Sequence, residues 1–170
     1  LSSVLDVHMK EGNMKEWHGA GSLGLLTGKL SFEGPIKKDK SSFIISARRS
    51  YLDLILSPII RRITDNTTNL DYAFYDLNAK MNYWLSPKDR FYLSMYAGHD
   101  KTETSFKFER KNSQPGFQEE LNQETSNLVK WGNNLVAARW NHIWSPKLFS
   151  NMTATYGYYN YKLDNKHKFV

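Results

Sequence analysis

A short glycine-rich stretch near the start of the chain has the spacing of a nucleotide-binding motif. Residues 19–24, GAGSLG, match G-x-G-x-x-G, in which glycines let the backbone approach a pyrophosphate at the start of a helix. That chemistry needs a helix directly after the glycines. Gly28 and a further alternating stretch follow instead. We therefore interpret the glycines as strand positions where the chain bends or where side chains must be small.

The residue types that perform catalysis are present, but not in catalytic patterns. The chain has no cysteine, which excludes disulfides and thiolate metal sites. The five histidines have no i, i+2 or i, i+4 partner that would indicate a metal site, and there is no G-x-S-x-G elbow. These histidines are His8, His18, His99, His142 and His167. We expect neither an enzyme nor a cofactor.

The formal net charge of +6 is of the sign that nucleic-acid binding requires. The basic clusters Lys37–Lys40, Arg48-Arg49 and Arg61-Arg62 are, however, far apart in sequence, and acidic residues lie among the other basic ones. We therefore expect no nucleic-acid partner.

The elements that position the polar residues are best seen between Leu77 and Ala97. Apolar side chains occupy every second position from Leu77 to Leu85 and again from Phe91 to Ala97, while the positions between carry mainly Asn, Lys, Ser and Tyr. This period of two predicts two strands, and Ser86–Asp89 predicts the tight turn of a hairpin. The hairpin therefore has one apolar and one polar face.

The same design returns later in the chain. Ser-Pro-Lys occurs at 86–88 and at 145–147, each time after a tryptophan-containing strand, which indicates a repeating hairpin. Tight turns are predicted at 37–40, 86–89 and 145–147, and long polar loops at 55–71 and about 99–130. Short turns on one side and long loops on the other are typical of an outer-membrane barrel, in which the apolar face contacts lipid. The chain has no run of about 20 apolar residues, the length that a membrane-spanning helix requires.

Four segments together resemble the junction of plug and barrel in TonB-dependent outer-membrane receptors, especially the nutrient-uptake receptors of the Bacteroidetes type. They are SSVLDVHMKEGN (2–13), WHGAGSLGLLTGKLSFEGPIKKDKSSFIISARRSYLDL (17–54), NAKMNYWLSPKDRFYLSMYAGHD (78–100) and RWNHIWSPKLFSNMTATYG (139–157). The resemblance implies an all-β fold, an antiparallel up-and-down transmembrane β-barrel in the bacterial outer membrane. Residues 1–13, with a strand over Leu1–Glu11, would end the plug, and residues 14–170 would begin the barrel.

The resemblance also implies what the chain works with. We count seven strands, whereas family members close their barrel with about 22, so this chain would hold part of the barrel. The strands are Trp17–Leu26, Lys29–Ile36, Ser41–Leu54, Leu77–Ser86, Arg90–Phe108, Leu128–Ser145 and Leu148–Leu163. The partners would be outer-membrane lipid, the TonB energy-coupling system through a segment outside this chain, and a surface lipoprotein lid. The substrate would be a nutrient such as a glycan, peptide or metal chelate.

The polar face holds the candidate substrate contacts. In a barrel, Asp76, Asn78, Lys80 and Arg139 would line the lumen, where they either contact substrate or neutralise one another. Trp140 and Trp144 are expected in a lipid-facing aromatic girdle. Adjacent Arg48 and Arg49 must face opposite sides, which predicts a rim position or a bulge, and a shift of the alternation at Gly98-His99 predicts a second bulge.

Two other interpretations remain open. The apolar faces could form the closed core of a soluble all-β binding or adhesion module, which would stay monomeric in buffer without detergent. Alternatively, the strand over Leu1–Glu11 could complete a small barrel of eight strands. The irregular pattern at Arg48-Arg49 argues against this second interpretation.

Overall fold

The chain forms one antiparallel sheet of seven strands in a computed structural model that describes residues 9–114 and 117–169, with the side chains of 9–108 and 122–168. Each strand pairs with the next one along the chain. The elements are β1 (His18–Leu23), β2 (Thr27–Lys37), β3 (Ser41–Ser50), α1 (Leu52–Ile63), β4 (Thr68–Trp84), β5 (Asp89–Gln114), β6 (Phe117–Ser145) and β7 (Leu148–Phe169). The prediction of an all-β chain is confirmed.

The register gives the sheet one apolar and one polar face, because directly paired residues on neighbouring strands share a face. On the apolar face, one row of paired residues crosses six strands: Phe32, Ile45, Ala79, Met95, Val136 and Tyr156. On the polar face, a row crosses five strands: Ser42, Asn82, Tyr92, Arg139 and Thr153. The alternation predicted for the two Ser-Pro-Lys hairpins therefore holds across the sheet.

The three predicted tight turns lie together at one end of the sheet, which we call the turn end. Residues 38–40, 85–88 and 146–147 connect β2 to β3, β4 to β5 and β6 to β7. Asp39 takes a left-handed conformation with φ 58°, as a tight reversal demands. In the second turn, the Ser86 hydroxyl donates to the Asp89 carboxylate at 2.6 Å. We call the opposite end of the sheet the far end.

The prediction of an irregular loop at 55–71 is wrong. The strand that begins at Ser41 ends at Ser50, α1 follows, and β4 begins at Thr68. The helix was missed because Pro58, which usually breaks helices, lies inside it. No helix in the described ranges 9–114 and 117–169 is long and apolar enough to cross a membrane.

The prediction of a polar loop at 99–130 is wrong as well. β5 and β6 pair in an unbroken register from Asp89 opposite His142 to Gln114 opposite Phe117. Towards the far end, both faces of these strands carry many polar side chains. The alternation of hydrophobicity that marks a half-buried strand is therefore lost, although the backbone pairing continues.

Two further local predictions can be compared with the registers. Pairing passes through Gly98 without a shift, so the predicted bulge there is wrong; a Cβ at Gly98 would collide with the Tyr96 hydroxyl. Pairing is also regular at Arg48 and Arg49, and β3 ends one residue later, so these arginines lie at a strand end and not in a bulge.

The predicted strand over Leu1–Glu11 falls partly on residues 1–8, which lie outside the described residues. Met9–Glu11, which the structure describes, are not in a strand. They belong to an irregular segment that continues to Trp17 and leads into β1.

Candidate functional site on the polar face

An irregular segment, Met9–Gly12, lies across the polar face near the turn end. The Lys80 ammonium donates to the Met9 carbonyl at 3.0 Å and lies 3.5 Å from a Glu11 carboxylate oxygen. The Ser42 hydroxyl approaches the Gly12 carbonyl at 2.6 Å. A side chain at Gly12 would overlap the Phe43 carbonyl, so glycine permits this close approach.

Asn82 links this segment to the sheet. Its side chain is 2% exposed, and its Oδ1 accepts from the Ser42 amide at 2.8 Å. The Ser42 hydroxyl lies 2.6 Å from the same oxygen, so its single hydrogen serves either Asn82 or Gly12. Asn82 Nδ2 donates to Glu11 at 3.3 Å. Buried polar groups therefore satisfy one another where the segment meets the sheet.

Two of the predicted site residues, Lys80 and Arg139, flank the ring of Tyr92. The Lys80 ammonium lies 5.6 Å and the Arg139 guanidinium carbon 4.3 Å from the ring centroid, within the range of cation–π attraction. Tyr92 is 7% exposed and is the one large apolar residue that is buried in the described part of the chain. The two cations and this aromatic ring form a compact positive cluster.

A cavity of about 360 Å³ opens beside this cluster and includes Glu11 and Ser94 in its lining. Arg139 Nε is buried and has no hydrogen-bond partner among the described residues. Glu11 is the one carboxylate in the lining. The cavity therefore offers cationic donors to a ligand with anionic or hydroxyl oxygens.

The other two predicted residues, Asp76 and Asn78, lie on the same face but pair differently. Arg48 contacts a single Asp76 oxygen, Oδ2, through both Nε at 2.8 Å and Nη2 at 2.7 Å, which is a charge-assisted ion pair. Asn78 Nδ2 donates to the other Asp76 oxygen at 3.4 Å. The charge of Asp76 is therefore neutralised by Arg48, a residue that the sequence analysis did not include in the site.

A row of three aromatic residues and one aspartate continues the polar face towards the far end. Phe74, Asp100, Trp131 and Tyr161 are directly paired across four strands. The Tyr72 hydroxyl donates to Asp100 at 3.1 Å, and burial, followed by this contact, raises the pKa of Tyr72. The row combines flat apolar surfaces with hydrogen-bonding groups. The sequence analysis did not select Tyr72, which it left between the predicted loop 55–71 and the strand that begins at Leu77. It also did not select Asp100, which lies where the predicted strand Arg90–Phe108 overlaps the predicted loop at about 99–130.

A second polar cluster lies outside this face, at the turn end. Asp89 accepts from His142 Nδ1 at 2.6 Å and from Trp140 Nε1 at 3.1 Å. The Ser86 hydroxyl, followed by His142, lowers the pKa of the Asp89 carboxyl from 3.8 to about 2. Both donors from β6 hold the end of that strand against the turn between β4 and β5.

This lowered pKa predicts an acid-sensitive hairpin. Because Asp89 ionises more readily in the folded chain than in the unfolded chain, its stabilisation is fully present above about pH 4 and is lost as the pH falls through about 2. We expect Asp89→Asn to lower the melting temperature at neutral pH. The difference in melting temperature between the native chain and the variant, called the gap below, should shrink as the pH falls from about 4 to about 2. Thermal melts of both chains at several pH values measure this gap, and a gap independent of pH would contradict the assignment.

Among the described residues, no group of three or more His, Asp or Glu side chains is arranged to hold a metal ion. No protein-family model, curated protein or solved structure matches the chain.

Proposed function

We propose that this chain forms part of the barrel of a TonB-dependent receptor in the bacterial outer membrane, which takes up a nutrient such as a glycan, a peptide or a metal chelate. Seven strands of an up-and-down sheet, with β1 and β7 at its edges, would continue into the rest of a larger transmembrane barrel. The apolar face would contact lipid, and the polar face would line the path of the substrate.

The observation that carries this proposal is the inverted burial of the two faces. Large apolar side chains are exposed in the middle of the apolar face, including Ile45 at 44% and Met95 at 50%. On the polar face, by contrast, Ser42 and Asn82 are almost completely buried. A surface this apolar requires a cover, and hydrocarbon supplies one along the whole row.

The dimensions of the apolar face also fit a bilayer. On β4 the face extends over Tyr75–Tyr83, close to the roughly 9–11 residues of a tilted transmembrane strand. Tyr83 pairs with Phe91, which pairs with Trp140, at the turn end. Tyr75 stacks on His99 at the other end of the band, with a centroid distance of 5.1 Å. Aromatic side chains at both ends of an apolar band are typical of transmembrane barrels.

The position of Met9–Gly12 supports the proposed domain organisation, in which residues 1–13 end the plug. A plug fills the barrel lumen, so the chain that leaves it must cross the polar face before it joins the first strand. Contacts of this segment with Lys80 and Asn82 follow such a path. Energy coupling through TonB and a lipoprotein lid would involve segments and partners outside the described residues.

The alternative, a soluble all-β binding or adhesion module, differs in what covers the apolar face. Such a module would bury this face against a second protein layer and would not require lipid. The two proposals therefore predict opposite behaviour in plain buffer.

The full 170-residue chain tests this difference. We expect it to aggregate in buffer and to give the circular dichroism spectrum of a β protein in detergent or lipid vesicles. Variants that retain a single tryptophan add a positional test, with brominated lipid quenching Trp140 on the apolar face much more than Trp131 on the polar face. A soluble chain that melts cooperatively in buffer would instead favour the binding module.

A further inference from the structure

Three lysines form a row on the apolar side of the sheet, immediately beyond the apolar band. Lys101 pairs directly with Lys130, and Lys130 pairs directly with Lys162, on strands β5, β6 and β7. Side chains at directly paired positions have Cβ atoms about 4.5–5.5 Å apart. The three ammonium groups, which we call the lysine row, therefore project side by side from one surface.

Like charges at directly paired positions destabilise a sheet, so the lysine row needs counter-charge. Lys101 has Glu103 at 2.8 Å, and Lys162 has Asp164 at 3.7 Å. The central Lys130 forms no salt bridge among the residues that the structure describes. Its neighbours on the same face of β6 are Leu128 and Gly132, which carry no charge. Glu103 and Asp164 each pair with Leu128, diagonally beside Lys130, so the three lysines and two carboxylates keep one net positive charge. An external anion would balance that charge.

The position of the row indicates which anion this is. On β5, Lys101 lies two residues beyond His99, which pairs with Tyr75 at the edge of the apolar band. Two residues of a strand advance roughly 7 Å, the step from the hydrocarbon boundary to the headgroups. The lysines share the side of the sheet that would contact lipid, and not the polar face.

We propose that the lysine row binds the phosphate groups of lipid headgroups in the leaflet at the far end of the sheet. The inference rests on the proposed membrane function. Phosphate oxygens would accept from Lys130 at the centre and from Lys101 and Lys162 at the sides, in part exchanging with Glu103 and Asp164. Anionic headgroups attract basic side chains near a membrane surface, and salt weakens that attraction.

The test measures how the full chain partitions into vesicles of phosphatidylcholine, with and without phosphatidic acid, whose phosphomonoester headgroup is the probe. We expect phosphatidic acid to strengthen partitioning at low salt. Lys130→Gln is expected to reduce this preference about fivefold. Glu103→Gln combined with Asp164→Asn should increase it, because both changes remove carboxylates that compete with phosphate.

Lys29→Gln is the matched control, since it removes the same charge from the polar face near the same end of the sheet, where Lys29 pairs with Arg48. If Lys29→Gln lowers the preference for phosphatidic acid as much as Lys130→Gln does, the preference reflects the net charge of the chain. That result would overturn the lysine site. Insertion into both vesicles without a phosphatidic-acid preference would also overturn it, while leaving the barrel proposal intact. A chain that inserts into neither vesicle would overturn both.

Discussion

Ile45→Arg is expected to destabilise the membrane-inserted chain by about 2–4 kcal/mol, the cost of an arginine on the lipid face of a barrel near the bilayer midplane. Ile45 pairs with Phe32 and Ala79 on the apolar face. Ala79 lies midway between Tyr75 and Tyr83, so Ile45 lies near the middle of the proposed hydrocarbon-spanning band. An arginine there must extend towards a headgroup or draw water into the bilayer.

Ser46→Arg provides the matched control, one residue further along the same strand. Ser46 pairs with Ser31 and Asn78 on the polar face, where an arginine would remain in an aqueous lumen. We expect Ser46→Arg to cost much less than Ile45→Arg in denaturant unfolding of the chain in lipid vesicles. Equal costs for the two variants, or no cost for Ile45→Arg, would show that lipid does not cover the apolar face.

The sequence predicted the strands best where each strand has one apolar and one polar face. In β4 and β5 near Ser86-Pro87-Lys88, strict alternation fixed both the strand and the face of every side chain. The alternation failed towards the far end, where polar residues are common on both faces. Backbone hydrogen bonds pair β5 with β6 there. Because these bonds do not depend on side chains, they produce no periodic pattern in the sequence.

The candidate site was also predicted only in part. The alternation of polar and apolar residues was sufficient to assign four residues to one face: Asp76, Asn78, Lys80 and Arg139. It could not predict that Asp76 pairs with Arg48, 28 residues away, or that Lys80 meets Glu11, 69 residues away. These contacts depend on the register between strands and on the path of Met9–Gly12, neither of which a local pattern records.

Asn82→Leu is expected to be the most damaging change on the polar face. Leucine has the same branched arrangement of heavy atoms as asparagine, but it cannot accept from the Ser42 amide, which donates to Asn82 Oδ1 at 2.8 Å. Ser42 is fully buried, so its amide has no access to water. A buried donor without a partner costs about 1–3 kcal/mol. We expect a loss of this size in the free energy of unfolding, together with release of Met9–Gly12 from the sheet.

Asn82→Asp separates these two effects. Aspartate retains an oxygen that accepts from Ser42, so the sheet should lose less stability than it does with leucine. It also removes the donor to Glu11 and places a second carboxylate against it, so Met9–Gly12 should still be released. Tryptic cleavage after Lys10 and Lys15, measured alongside unfolding, reports the release directly. If cleavage is unchanged in both variants, Asn82 does not hold the segment on the polar face, and the proposed path from plug to barrel loses its principal contact.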